Sequence, residues 1–145
     1  MDLEEFAIDL KVAGMTIGYQ LEGVVKIIAE EIEAEAKSEL GNYQPATGPF
    51  DAWDPLAEST KADRVRQGYS EDDPLERSGE LRESIEHEVV GLAAIIGTKS
   101  KVGYWQEVGT PKMSPRSFMG PAYIRKLERL HEEIGRCIMR GFKAE

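Results

Sequence analysis

Ile85-Glu86-His87-Glu88-Val89-Val90-Gly91-Leu92-Ala93-Ala94-Ile95-Ile96-Gly97-Thr98 is the stretch on which the fold turns. Ile85, His87 and Val89 alternate with Glu86 and Glu88, the period of a half-buried strand, and Gly91 can turn the chain. Leu92 to Thr98 is apolar and ends on a β-branched residue, so a second strand paired antiparallel to the first is expected. Upstream, Ser78-Gly79-Glu80-Leu81 opens a helical turn, with Ser78 as candidate cap and Glu80 and Glu83 near the positive end of the dipole. Downstream, Tyr104 to Val108 before Gly109 reads either as a short helix or as a continuation of the sheet.

On either side of this hairpin the period changes. Leu21, Val25, Ile28, Ile32, Ala36 and Leu40 recur every three or four residues, with Glu30, Glu31, Glu33 and Glu35 between them. That spacing predicts an amphipathic helix ~30 Å long, ending before Gly41-Asn42. Before it, Phe6, Ile8, Leu10 and Val12 alternate with Ala7, Asp9 and Lys11, which predicts an N-terminal strand that Gly14 ends. At the other end, Pro121 suits the first turn of a final helix, whose apolar stripe is Ile124, Leu127, Leu130, Ile134, Cys137 and Ile138. Arg125, Lys126, Arg129 and Arg136 dress its remaining surface.

Two prolyl loops separate these elements, one over about residues 41–58 and one over about 109–121. Phe50 and Trp53 lie in the first and are expected to fold back onto the core, since exposed loop aromatics otherwise await a partner. Ser59-Thr60 can cap a short helix over Lys61 to Gln67. The order strand, long amphipathic helix, loop, antiparallel hairpin, helix reads as α+β in a single domain over residues 1–145.

Composition narrows the function classes. The chain is 41% hydrophobic and carries a formal charge of -9, too apolar for a disordered protein and too acidic for general DNA binding. No apolar run reaches the ~18 residues of a membrane span, and the acidic start Met1-Asp2-Leu3-Glu4-Glu5 lacks the basic end of a signal peptide, so a cytosolic setting without membrane contact is expected. Charge is uneven: Met1 to Gly41 holds three Lys/Arg against ten Asp/Glu, whereas Thr110 to Glu145 holds eight Lys/Arg against four Glu. These are either solvated helix faces or an acidic face of one subunit meeting a basic face of its neighbour, a head-to-tail contact that can close into a ring.

Chemistry-bearing motifs are missing. His87 and His131 stand without partners at metal-ligand spacing, and the sequence has no G-x-S-x-G elbow, no Walker loop and no G-x-G-x-x-G. Cys137, the only cysteine, falls on an apolar stripe and reads as packing. A carboxylate pair of glycosidase type could hide among the acidic residues, but nothing names it. No catalytic, cofactor-binding or metal-ligating residue is therefore expected.

Three stretches in order carry a resemblance. They are Trp53-Asp54-Pro55-Leu56-Ala57-Glu58-Ser59-Thr60, then Leu75-Glu76-Arg77-Ser78-Gly79-Glu80-Leu81-Arg82-Glu83-Ser84-Ile85, then Gly97-Thr98 through Tyr104-Trp105-Gln106-Glu107-Val108-Gly109-Thr110 to Met113-Ser114-Pro115-Arg116-Ser117-Phe118-Met119-Gly120-Pro121-Ala122. Together they resemble the head-tail joining proteins of tailed bacteriophages, the neck or tail-completion family of lambdoid and Mu-like phages also labelled virion morphogenesis proteins. Ser117 departs from a position where proline is common, and Met119 from one where leucine is common.

The resemblance implies a non-enzymatic virion component, assembled in the bacterial host cytoplasm and forming a homo-oligomeric ring at the portal-to-tail junction. Its implied partners are copies of itself, the portal or adaptor protein, and the tail tube or terminator, with DNA only as passing cargo and no cofactor. The family-motif and interface candidates are Trp53, Pro55, Leu56, Gly79, Leu81, Arg82, Tyr104, Glu107, Gly109, Pro115, Arg116 and Phe118. Read physically, Phe118 is an apolar anchor expected to dock its arm within the subunit, with part of the arm at the subunit interface. Arg116 can fork onto a carboxylate, and Arg82 can join Glu80 and Glu83 in a local ion network. The rival reading is a small adaptor or regulatory binding protein that docks through the Phe50/Trp53 loop.

Overall fold

The computed structural model describes residues 2–143. Met1, Ala144 and Glu145, which the single-domain expectation included, lie outside the described residues. The architecture is mixed α+β and mostly helical: α1 (Leu3–Glu39), α2 (Glu58–Arg66), α3 (Glu80–Ser84), β1 (Ile85–Val90), β2 (Ala93–Thr98), α4 (Lys101–Val108) and α5 (Met119–Lys143).

The N-terminal strand is a correction: Phe6 to Val12 are helical, and α1 runs unbroken for 37 residues, ~55 Å at 1.5 Å per residue. Its start is built by Asp2, whose carboxylate accepts from the N–H groups of Glu4 and Glu5, while the Glu5 carboxylate accepts from the Asp2 N–H at 3.0 Å. This capping box satisfies the first orphan donors and nucleates the helix at residue 3. Gly14 ends nothing; it sits inside α1 with open space around it. The alternation over Phe6 to Val12 arises because Phe6 and Leu10 fall on one helix face and Ile8 and Val12 on the opposite one.

α5 lies antiparallel along α1. Arg125 meets Glu39 near the start of α5, Arg129 meets Glu31 one turn on, and Gly141 packs on Ile17 and Ala13 near its end. The hairpin is as expected, antiparallel with Ile85 opposite Thr98 and Val90 opposite Ala93, joined by Gly91-Leu92 with Gly91 at φ +59°. It rests against α1. The core gathers Ile28, Ile32, Ala36 and Leu40 of α1 with Trp53, Leu75, Leu81, Ile85, Phe118 and Ala122. Cys137 is buried, whereas Ile138, expected on the same stripe, is 39% exposed.

The Tyr104–Val108 alternative resolves as helix, since Ser100 caps α4 by accepting from the Gly103 N–H. Two expected caps are corrected. α2 starts at Glu58 behind Ala57, so Ser59 and Thr60 lie inside its first turn. α3 starts behind Gly79, not Ser78, because the cap residue sits at φ +88°, where glycine lacks the steric cost of a Cβ.

Charge distribution finds its explanation inside the chain. Arg125 Nη1 lies 2.6 Å from Glu39 and 3.5 Å from Glu35, Lys126 Nζ lies 3.6 Å from Glu35, and Arg129 lies 3.0 Å from Glu31. The acidic first helix and basic last helix thus pair with each other in one molecule.

Candidate functional site

The three motif stretches meet at one knot beneath the N-terminus of α5. Phe118 is fully buried and plugs the core, so the arm docks within its own subunit. Glu107, at the end of α4, turns its carboxylate onto the start of α5: Oε2 accepts from the Phe118 N–H at 2.8 Å and the Met119 N–H at 3.0 Å, and Oε1 from the Gly120 N–H at 3.1 Å. Pro121 has no N–H, and the Ala122 N–H reaches the Phe118 carbonyl at 3.4 Å. One carboxylate therefore completes the donor account of a helix start and sits at the positive end of its dipole.

Around this cap each polar motif side chain is spent on main chain. The Trp53 indole Nε1 donates to the Ser117 carbonyl at 2.9 Å, and the Ser117 hydroxyl donates to the Glu107 carbonyl at 2.9 Å. Buried Arg116 forks onto the carbonyls of Asp54 and Pro55, both at 3.0 Å, where a carboxylate was expected. Two adjacent carbonyls of a proline-broken segment splay toward the same side and match the guanidinium fork. Gly109 ends α4 at φ +76° and ψ 176°; a Cβ there would stand 2.9 Å from the Met113 carbonyl oxygen and 3.0 Å from Pro115. Gly120 is held against the face of Phe50, so Phe50 and Trp53 both fold back as expected.

The second stretch fastens the far end of α1. Leu81 is in the core, and Arg82 donates to the Leu40 carbonyl at 2.9 Å while pairing with Glu76 at 2.7 Å, so Glu76 takes the place expected for Glu80 and Glu83. Leu56 is buried, and its N–H donates to the Tyr43 hydroxyl at 3.0 Å. Tyr104 is the one candidate outside this arrangement: it stands on the open face of α4, 64% exposed, next to exposed Trp105 and Val108.

Sequence reasoning missed several participants. Buried Arg64 donates to the carbonyls of Ser70 and Glu76, at 3.3 and 2.7 Å, and staples the loop between α2 and α3. Glu39 is buried, and desolvation pushes its carboxyl up to about 8 against the pull of Arg125, with Glu35 and Glu107 repelling in the same upward direction. His87 pairs with Glu33, whose carboxyl is held below its ordinary value chiefly by hydrogen bonds from Lys37 and His87. A uniform Glu-rich helix gave no signal for which carboxylates these would be.

Between the two prolyl loops the knot leaves a cleft of about 700 Å³. Its walls carry Arg64, Arg77, Lys112 and Arg116 against Asp54 and Glu80, a cationic surplus on an acidic protein. No helix among the described residues is long and apolar enough to cross a membrane. Comparison with curated proteins and with solved structures gave no match. The family model described as the phage virion morphogenesis family matches residues 4–118, from the first turn of α1 through the arm to Phe118, and the chain belongs to that family.

Proposed function

We propose that this member of the phage virion morphogenesis family joins head and tail at the neck of a tailed phage, as a non-enzymatic, homo-oligomeric ring assembled in the host cytoplasm. A role in building the virion follows from the family; the junction and the ring are our reading. The observation that carries it is the fate of the motif residues. Trp53, Arg82, Glu107, Arg116 and Ser117 all bond main-chain groups that fasten loops to helices. Such a motif maintains the shape of a building block under load and holds no reacting atom. The adaptor reading loses its docking element, because Trp53 is buried and Phe50 packs on Gly120.

In this reading the prolyl loops and the cationic cleft between them face the next protein along the particle axis, portal adaptor or tail terminator, and suit an acidic segment of it. The net charge of -9 lets DNA pass without adsorbing. The test is a phage lacking this gene. Filled heads and full-length tails that accumulate apart, and join when purified protein is added to the lysate, are the expected outcome. Joined particles without the protein, or heads that never fill, would place its work elsewhere.

A further inference from the structure

The first five turns of α1 are apolar on two opposite sides. One stripe, Leu3, Phe6, Leu10, Ala13 and Ile17, continues the line that Val24, Ile28 and Ile32 carry into the core. α5 covers it only from Ala13 onward, where Gly141 packs; Leu3, Phe6 and Leu10 extend past that contact, from 50% to 87% exposed. The other stripe is Ile8, Val12, Met15 and Tyr19, spaced four, three and four residues apart and 56% to 81% exposed. At 100° per residue the two stripes stand roughly 170° apart. A helix apolar on opposite faces is a buried helix, yet the described residues leave the outer stripe and the Leu3, Phe6 and Leu10 end of the inner one exposed.

We infer that this half of α1 is the ring-forming element: the outer stripe, Ile8 to Tyr19, of one copy packs on the Leu3, Phe6 and Leu10 face of the next. The inference rests on the ring reading above and names its contact. A single stripe would pair two helices, but two opposed stripes give every helix two neighbours. Because the stripes differ, the contact is head-to-tail, the kind that closes by rotation into a ring. Local charge complementarity fits a second copy as the occupant and sets its register. The end of α5, beside the free face, carries Arg140 and Lys143, exposed and without an acidic partner among the described residues, while exposed Glu4, Asp9 and Glu22 outnumber exposed Lys11 along the border of the outer stripe. A lipid surface, usually anionic, would repel that acidic border. With Phe142 the two stripes present on the order of 1,000 Å² of apolar surface, close to what a specific contact buries.

The experiment uses the full chain and reads its mass by light scattering. Wild type is expected as one discrete multiple of the chain mass, and Ile8→Glu/Met15→Glu as a monomer with unchanged helix content and melting. Ile95→Glu, equally exposed but on the hairpin, is expected to keep the ring. Oxidation of Leu10→Cys/Val12→Cys should give a ladder of cross-linked species and either single variant none, since buried Cys137 does not compete. A ring that survives Ile8→Glu/Met15→Glu overturns the inference and leaves the ring reading standing. A dimer from Val12→Cys alone overturns it in favour of like stripes pairing. A wild type that stays monomeric at every concentration overturns both.

Discussion

Replacing Glu107 by alanine removes the cap of α5 and leaves three N–H groups, on Phe118, Met119 and Gly120, without the acceptor they share. Losing an ordinary N-cap costs ~1 kcal/mol, and a partly buried charge at a helix dipole adds up to ~2 kcal/mol. Because the arm next to the cap is buried and water reaches it poorly, the terms combine toward ~3 kcal/mol. For a chain of this size that corresponds to a loss of about 10 °C in melting temperature. Glu107→Gln keeps one acceptor oxygen but points an amide toward one of the donors, so about half the loss is expected. Urea unfolding followed by circular dichroism gives the global figure. Trypsin gives the local one: Arg116 is buried in the wild type, and cleavage after it should accelerate in Glu107→Ala before the body unfolds. An alanine variant melting within about 2 °C of wild type, with Arg116 still protected, would refute the reasoning.

Gly109→Ala should destabilise by roughly 2 to 3 kcal/mol in the same urea assay, because a backbone region open essentially to glycine meets a Cβ 2.9 Å from the Met113 carbonyl oxygen. Glu39 sets a pH dependence: with its folded value near 8 against an ordinary 4.5, the folded state holds a proton that the unfolded state has released between those limits. Stability therefore falls as pH rises through that window, by at most about 1.4 kcal/mol per pH unit, and Glu39→Gln should flatten the decline and be the more stable protein at pH 8. A variant that tracks wild type at every pH would remove Glu39 from the account. Raising salt from about 0.05 to 0.5 M should strengthen the ring, read as a lower dissociation concentration by light scattering.

The parts of the fold that could be read from sequence are those fixed by neighbours in sequence. The hairpin declares itself through period two and Gly91, and α5 through its stripe behind Pro121. The N-terminus is ambiguous in sequence because seven residues of alternation fit a half-buried strand and a helix apolar on two faces equally well. The deciding signal, Asp2 followed three residues later by Glu5, was present but lay outside the alternating run. The motif residues are legible as a set, yet the partners of Trp53 and Arg116, and one of the two partners of Arg82, are backbone carbonyls, which leave no trace in residue identity. Likewise, the Arg125–Glu39 pair spans 86 positions: composition revealed that the two ends carry opposite charge, not that they meet in one molecule.

That intramolecular meeting decides what can hold a ring together. The cations of α5 that could have gripped a neighbour's acidic helix, Arg125, Lys126 and Arg129, are already engaged by Glu39, Glu35 and Glu31 of their own α1. The charge that α1 still shows outward is mainly acid, Glu4, Asp9, Glu22 and Glu30 outnumbering Lys11 and Lys26, on a chain whose formal charge is -9. Copies of such a chain repel at long range. Arg140 and Lys143 are too few to reverse that and can only set the register. In the proposed ring, association then comes from apolar burial, which does not weaken as salt rises, while salt screens the repulsion over a length of ~10 Å at 0.1 M. A ring built on opposite-charge contacts would loosen under the same treatment, so the direction of the salt effect separates the two modes of assembly without knowledge of the ring's order.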